Sequence, residues 1–114
     1  MNAIETGRKA VTAARVYLEM RGYTIIEQNW RRSRCKIDLI AVQGEVMHFV
    51  EVVYRQNGGQ DGGLDTITAT KLKQMRSAAF SWVDETKWHG KYVFSAIEMS
   101  GPNFTVMNFL RNVF

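Results

Sequence analysis

The sequence predicts a mixed α/β domain with its elements in the order α-β-β-β-α-β-β, and three observations carry that reading. An opening segment and a later one repeat apolar residues at helical spacing. Three short runs rich in Ile, Val and Phe stand between them, and two more follow, as strands do. Turn signals built on Gly, Asn and one Pro separate these segments. A chain of 114 residues has room for one core, so residues 1–114 are expected to form a single domain.

The opening helix is expected over residues 6–21, with Thr6 as its N-cap. Val11, Ala14 and Leu18 form its apolar stripe, with Ala10 and Tyr17 beside it. Gly22 suits the left-handed position that closes a helix. "YTIIEQNW" reads as the first strand, and residues 36–42 and 47–54 as a hairpin. "QNGGQDGGL" (56–64) reads as a mobile loop; it lacks the Gly-Lys-Ser/Thr ending of a nucleotide-binding P-loop. A second helix is expected over 67–84, with Ile67, Lys71, Met75, Ala78 and Trp82 at spacings of three or four. "KYVFSAIEM" and "FTVMNFL" close the order as two strands joined by "SGPN".

Composition narrows the class. The longest apolar runs are far too short to span a bilayer, and the N-terminus has helical periodicity in place of a signal-peptide core. The single Cys35 forms no internal disulfide, which suits the cytoplasm; it reads as a small half-buried side chain. The net charge of +4 is modest, but it is unevenly placed. "RRSRCK" holds Arg31, Arg32, Arg34 and Lys36 without an acid, and Lys71, Lys73 and Arg76 follow in the later helix. Such clusters are what binding to a polyphosphate backbone needs, and they are also what a solvated face carries.

The hairpin brings two acids together. Gly44-Glu45 fits a type II′ turn, which wants glycine first. That turn opposes Gln43 to Val46 and Val42 to Met47; further down the ladder Asp38 opposes Glu51 and Lys36 opposes Val53. Side chains alternate faces, so Lys36, Asp38, Glu51 and Val53 are expected on one face and Ile37, Leu39, Val50 and Val52 on the other. Two opposed carboxylates, with Cβ atoms about 4.5–5.5 Å apart, destabilise a strand pair unless something offsets them. A hard cation such as Mg²⁺ or Mn²⁺, a proton on one carboxyl, or Lys36 folded over the pair would each do so. A register slipped by one residue would leave Asp38 as a strand-end cap.

The residues "NWRRSRCKIDLIA" and "FVEVVYR" resemble the run N-W-R-x-x-x-G-E-I-D-L-I-A followed by F-V-E-V-K-x-R of the YraN-type family of small bacterial proteins. "GRKAVTAARVYLEMRGYTI", Lys71 with Met75 and Ala78-Ala79, and "NVF" extend the likeness over nearly the whole chain. The resemblance implies the fold of restriction endonucleases and Holliday-junction resolvases. It also implies that Asp38 and Glu51 hold a Mg or Mn ion and act in catalysis, and that the partner is DNA, branched or single-stranded. Resolvase-like relatives often pair, which implies a possible homodimer.

The chain departs from the family where the chemistry lies. It has Val11 for a glutamate, Cys35-Lys36 for Gly-Glu, Val53 for the catalytic lysine and Val93 for a frequent aspartate. Losing the lysine removes a charge from an electrostatic site, so weak or absent cleavage is expected. Lys36, across from Val53, is either a migrated catalytic lysine or an extension of the basic run. Arg31, Arg32, Arg34, Arg55 and Lys71 are the expected phosphate contacts, and Trp30 is either core or a stacking platform for an unpaired base. A third possibility is an assembly domain with Met99, Met107 and Phe114 exposed on an edge strand.

Overall fold

The computed structural model describes residues 1–56 and 68–112. Its elements follow the expected order: α1 (Ala3–Met20), β1 (Thr24–Arg32), β2 (Cys35–Gln43), β3 (Val46–Arg55), α2 (Ala69–Thr86), β4 (Lys91–Ser100) and β5 (Thr105–Leu110). The strands form one five-stranded sheet in chain order. All neighbours are antiparallel except β3 and β4, which run parallel. A parallel pair needs a long crossover, and α2 lies within it. No described helix is long and apolar enough to cross a membrane.

Local chemistry explains where the elements begin and end. Thr6 is not the cap of α1; it lies inside the helix. Asn2 takes that role, its side chain accepting the Glu5 N–H at 2.9 Å while its amide reaches back to the Glu5 carboxylate. This reciprocal pair satisfies helix-end donors one turn earlier than Thr6 would. The other end closes on Gly22 at φ 87°, with the Tyr23 N–H bonded to Leu18 and that of Gly22 to Glu19. Such a Schellman closure favours glycine because a Cβ is strained there. Gly44 has φ 61°, as the first position of a type II′ turn requires. Thr68 caps α2 through the Lys71 N–H at 3.1 Å. Ile67 and the glycine-rich stretch from residue 57 onward lie outside the described residues.

The sheet is covered on both faces. Ala10, Val11, Ala14 and Leu18 of α1 pack on Leu39, Ala41, Val50, Ile97 and Met99. Ala78, Ala79 and Trp82 of α2 pack with Trp30, Ile37, Ile40, Met47 and Phe49 on the opposite face. Ile37 therefore departs from the expected alternation, which placed it with Leu39. The cause is local. Asn29 takes a left-handed φ of 53°, and the β1–β2 ladder passes from Gln28–Leu39 to Trp30–Ile37 with no pairing at the step between. Beyond that break the strands turn Trp30 and Ile37 together toward α2. Of the three residues expected to be exposed, Met99 is fully buried in the α1-side core, Met107 on the edge strand β5 is half exposed, and Phe114 lies outside the described residues.

Trp30 is core and not a platform for a base. It is 5% exposed, and the Arg32 guanidinium lies 4.9 Å from its ring centre. Trp30→Ala is accordingly expected to cost about 3–5 kcal/mol of folding free energy, read from chemical denaturation. A loss below about 1 kcal/mol would put the ring outside the core.

Candidate functional site

The site forms where the β2–β3 ladder gives way. Backbone pairs run from Gln43–Val46 to Leu39–Val50, the expected register, and stop one residue short of Asp38 and Glu51. There the Val52 N–H bonds the Asp38 carboxylate, Oδ2 accepting at 2.8 Å. The Asp38 Oδ1 atom takes the Lys36 ammonium, also at 2.8 Å. Glu51 receives the Lys71 ammonium from the first turn of α2, Nζ to Oε1 at 2.7 Å. Both carboxylates are 3% exposed, whereas the two lysines keep about half their surface in solvent. Each lysine thus lays its stem along the opening and its charge on a buried acid.

The electrostatics follow from that enclosure. Burial and the neighbouring Asp38 raise Glu51 from its ordinary 4.5 to about 7, although Lys71 pulls the other way. A proton on Glu51 is therefore held well above the usual carboxylate range, which relieves the repulsion between the two acids. Burial pushes the Lys36 ammonium down, but Asp38 and Glu51 outweigh it and the value rises. Two of the three offsets that the sequence left open act together here: an ammonium on each carboxylate, and the raised proton affinity of Glu51.

A divalent cation is the third. Mg²⁺ accepts one or two carboxylates and keeps several waters, so the donor types are suitable. Their occupancy is not. Asp38 spends one oxygen on Lys36 and the other on a backbone N–H, and Glu51 is held by Lys71. An entering ion has to displace an ammonium from a pair already near neutrality. Among the described residues no group of three or more His, Cys, Asp or Glu side chains stands close enough to hold a metal. As arranged, the site does not fit the ion that the resemblance implies.

The cations expected to meet phosphate divide into two sets. Arg31, Lys36 and Lys71 line an open groove with Asp38 and Glu51, walled on the far side by Ala3, Gly7, Arg8 and Val11 of α1. Arg34 stands beside Arg31, Lys36 and Lys71 in a smaller adjoining recess. Arg32 is instead held in a two-pronged pair with Glu85, at 2.9 and 3.0 Å. Arg55 lies 3.7 Å from the buried Glu98, whose other oxygen accepts from Asn108 at 2.7 Å. Val53, at the family's lysine position, is half-buried and in register with Glu98. Arg8 joins the groove without having been expected there. Neither it nor the Lys71–Glu51 contact has a local signal, since both depend on how the helices dock.

A second buried polar pair lies elsewhere. His48 Nδ1 and Ser95 Oγ stand 3.1 Å apart in the core, with the Tyr23 ring packed edge-on against the imidazole. Ser95 has no exposed surface, so the pair is sealed from any substrate.

The profile of the family described as "Uncharacterised protein family UPF0102" matches residues 12–107. The chain is 32% identical to a UPF0102 protein of Cytophaga hutchinsonii over 106 residues, covering 93% of this chain and 94% of that one. It is 32% identical to one from Shewanella frigidimarina over 111 residues, covering 97% and 100%. A UPF0102 protein of Pseudomonas syringae pv. syringae is 30% identical over 114 residues, covering 96% and 93%.

Proposed function

We propose that this chain, which belongs to the uncharacterised protein family UPF0102, binds nucleic acid on a nuclease-like scaffold and needs no metal ion to do so. The observation that carries this reading is the lysine on each buried carboxylate, at 2.8 and 2.7 Å, in a groove rimmed by Arg8 and Arg31. The acids offset part of the lysine charge in the floor, and the arginines leave the rim positive. A phosphate backbone lying along that rim gains the release of its counterions. Hydrolysis in a restriction-type site uses an exposed carboxylate pair and a lysine aimed at the phosphate. Here the acids are engaged, and Val53 stands in the lysine's place, so turnover is weak or absent.

Salt dependence tests the reading. With about four phosphates neutralised, single-strand affinity should fall with salt along a logarithmic slope of about −3. Arg31→Ala with Arg34→Ala should flatten that slope by about 1.4. Fluorescence anisotropy of a labelled oligonucleotide across a salt series reads both. An affinity indifferent to salt would contradict the reading and point to an apolar partner.

A second reading is favoured by the same contact. Lys36 Nζ lies 2.8 Å from Asp38, within reach of the position a catalytic lysine occupies in an active Mg- or Mn-dependent endonuclease. In that case Lys36→Ala would abolish cleavage of branched or single-stranded DNA by the native protein in Mn²⁺; absence of native cleavage removes this reading.

A further inference from the structure

Beside the carboxylate pair lies a second, smaller recess of about 210 Å³. Its walls are Arg31, Arg34, Lys36 and Lys71, with Gln74, Glu51 and Met75 behind them. Arg31 is the last residue but one of β1 and Lys36 the second of β2, and the two are directly paired across the strands. Arg34 sits in the tight turn between them, where Ser33 takes φ 54°. Lys71 and Gln74 come from α2, so separate elements bring four cations to one place.

Like charges opposed across strands are destabilising. Arg31 indeed acts against the Lys36 charge. Asp38 and Glu51 answer only the two lysines. Among the described residues neither Arg31 nor Arg34 has an ion pair, so the recess holds two unanswered guanidinium groups with a side-chain amide nearby. Guanidinium forks match the oxygens of a phosphate group two at a time. The volume is below the roughly 300–1,000 Å³ of sites that enclose whole small molecules. It suits a group and not an entire nucleotide.

We propose that this recess seats the terminal phosphate of a nucleic-acid strand, a monoester, with the strand continuing along the adjoining groove. A monoester carries close to two negative charges at neutral pH, matching the two free arginines, and it has a single attachment. An internal phosphodiester carries one charge and would leave one of the two guanidinium groups unanswered. The inference rests on the nucleic-acid reading above and adds a substrate class to it: strands with a phosphorylated end.

The test uses one single-stranded sequence in three forms, with a 5′-phosphate, with a 3′-phosphate and with hydroxyl ends, bound to the full-length protein at low salt. At least one phosphorylated form should bind about tenfold tighter than the hydroxyl form. Arg34→Ala should erase that preference while still binding all three, and inorganic phosphate should compete it away. Arg34 is exposed, so the variant folds, as circular dichroism checks. Equal binding of the three forms by the native protein overturns this proposal and leaves the nucleic-acid reading standing. Failure of every form to bind overturns both.

Discussion

Replacing Glu51 by Gln is expected to stabilise the protein above neutral pH and to change it little at pH 5. The carboxyl is 3% exposed and shares its surroundings with Asp38, and its value rises from 4.5 to about 7. Because the folded value lies above the unfolded one, the folded state holds this proton more tightly. That contribution is fully present below pH 4.5 and is lost as pH climbs through about 7. A shift of this size corresponds to about 3 kcal/mol once the group is ionised in both states. Glutamine escapes the ionisation but is itself costly to bury, and Lys71 loses its partner. The net gain at pH 8 should therefore be about 1–3 kcal/mol. Denaturation of both proteins between pH 5 and 8 reads it, as two curves that meet in acid and separate in alkali. A variant less stable than the native protein at pH 8 would mean that the Lys71 pair outweighs the burial of the acid.

The second large effect concerns metal. Lys36→Glu combined with Val53→Lys restores, at these two positions, the pattern of the family that the sequence resembles. The first change removes the ammonium from Asp38 and adds a third carboxylate at the mouth of the site. The second places a cation beside Glu98, the residue in register with Val53. Three acids that share only Lys71 have reason to take a divalent ion. At a hundredfold excess over Kd, Mn²⁺ should then stabilise the double variant by about 2.7 kcal/mol, a rise in Tm on the order of 10 °C. Differential scanning calorimetry reads this directly, and the native protein should show no comparable rise. Nicking of a supercoiled plasmid in Mn²⁺ reports whether cutting returns with the ion. A folded double variant indifferent to Mn²⁺ would mean that something other than Lys36 keeps the ion out.

Much of this architecture was legible in the chain, and the failures have a common form. The α1 stripe, the turn at Gly44 and the β2–β3 register from Gln43–Val46 to Leu39–Val50 are local matters, set by periodicity and turn chemistry, and they hold. Ile37 fails because a left-handed Asn29 on the neighbouring strand breaks the alternation, and no pattern within β2 announces it. Met99 fails because β4 is an interior strand with both faces covered. Thr6 fails because Asn2 with Glu5 offers an earlier cap that apolar spacing alone does not weigh. The site divides the same way. Its acids and Lys36 lie within one hairpin, while Lys71, twenty positions beyond Glu51, arrives on a separately docked helix. The basic cluster of α2 marks Lys71 as a cation, but nothing in the sequence announces that it answers Glu51.

In the proposed reading, two lysines hold the position a divalent ion would take. Calorimetric titration of Mn²⁺ into the native protein, beside an Asp38→Ala/Glu51→Ala variant, tests it most directly. The two proteins should give the same weak, unsaturated heats. Saturable binding by the native protein that disappears in the variant would contradict the claim and identify the carboxylate pair as a working metal site.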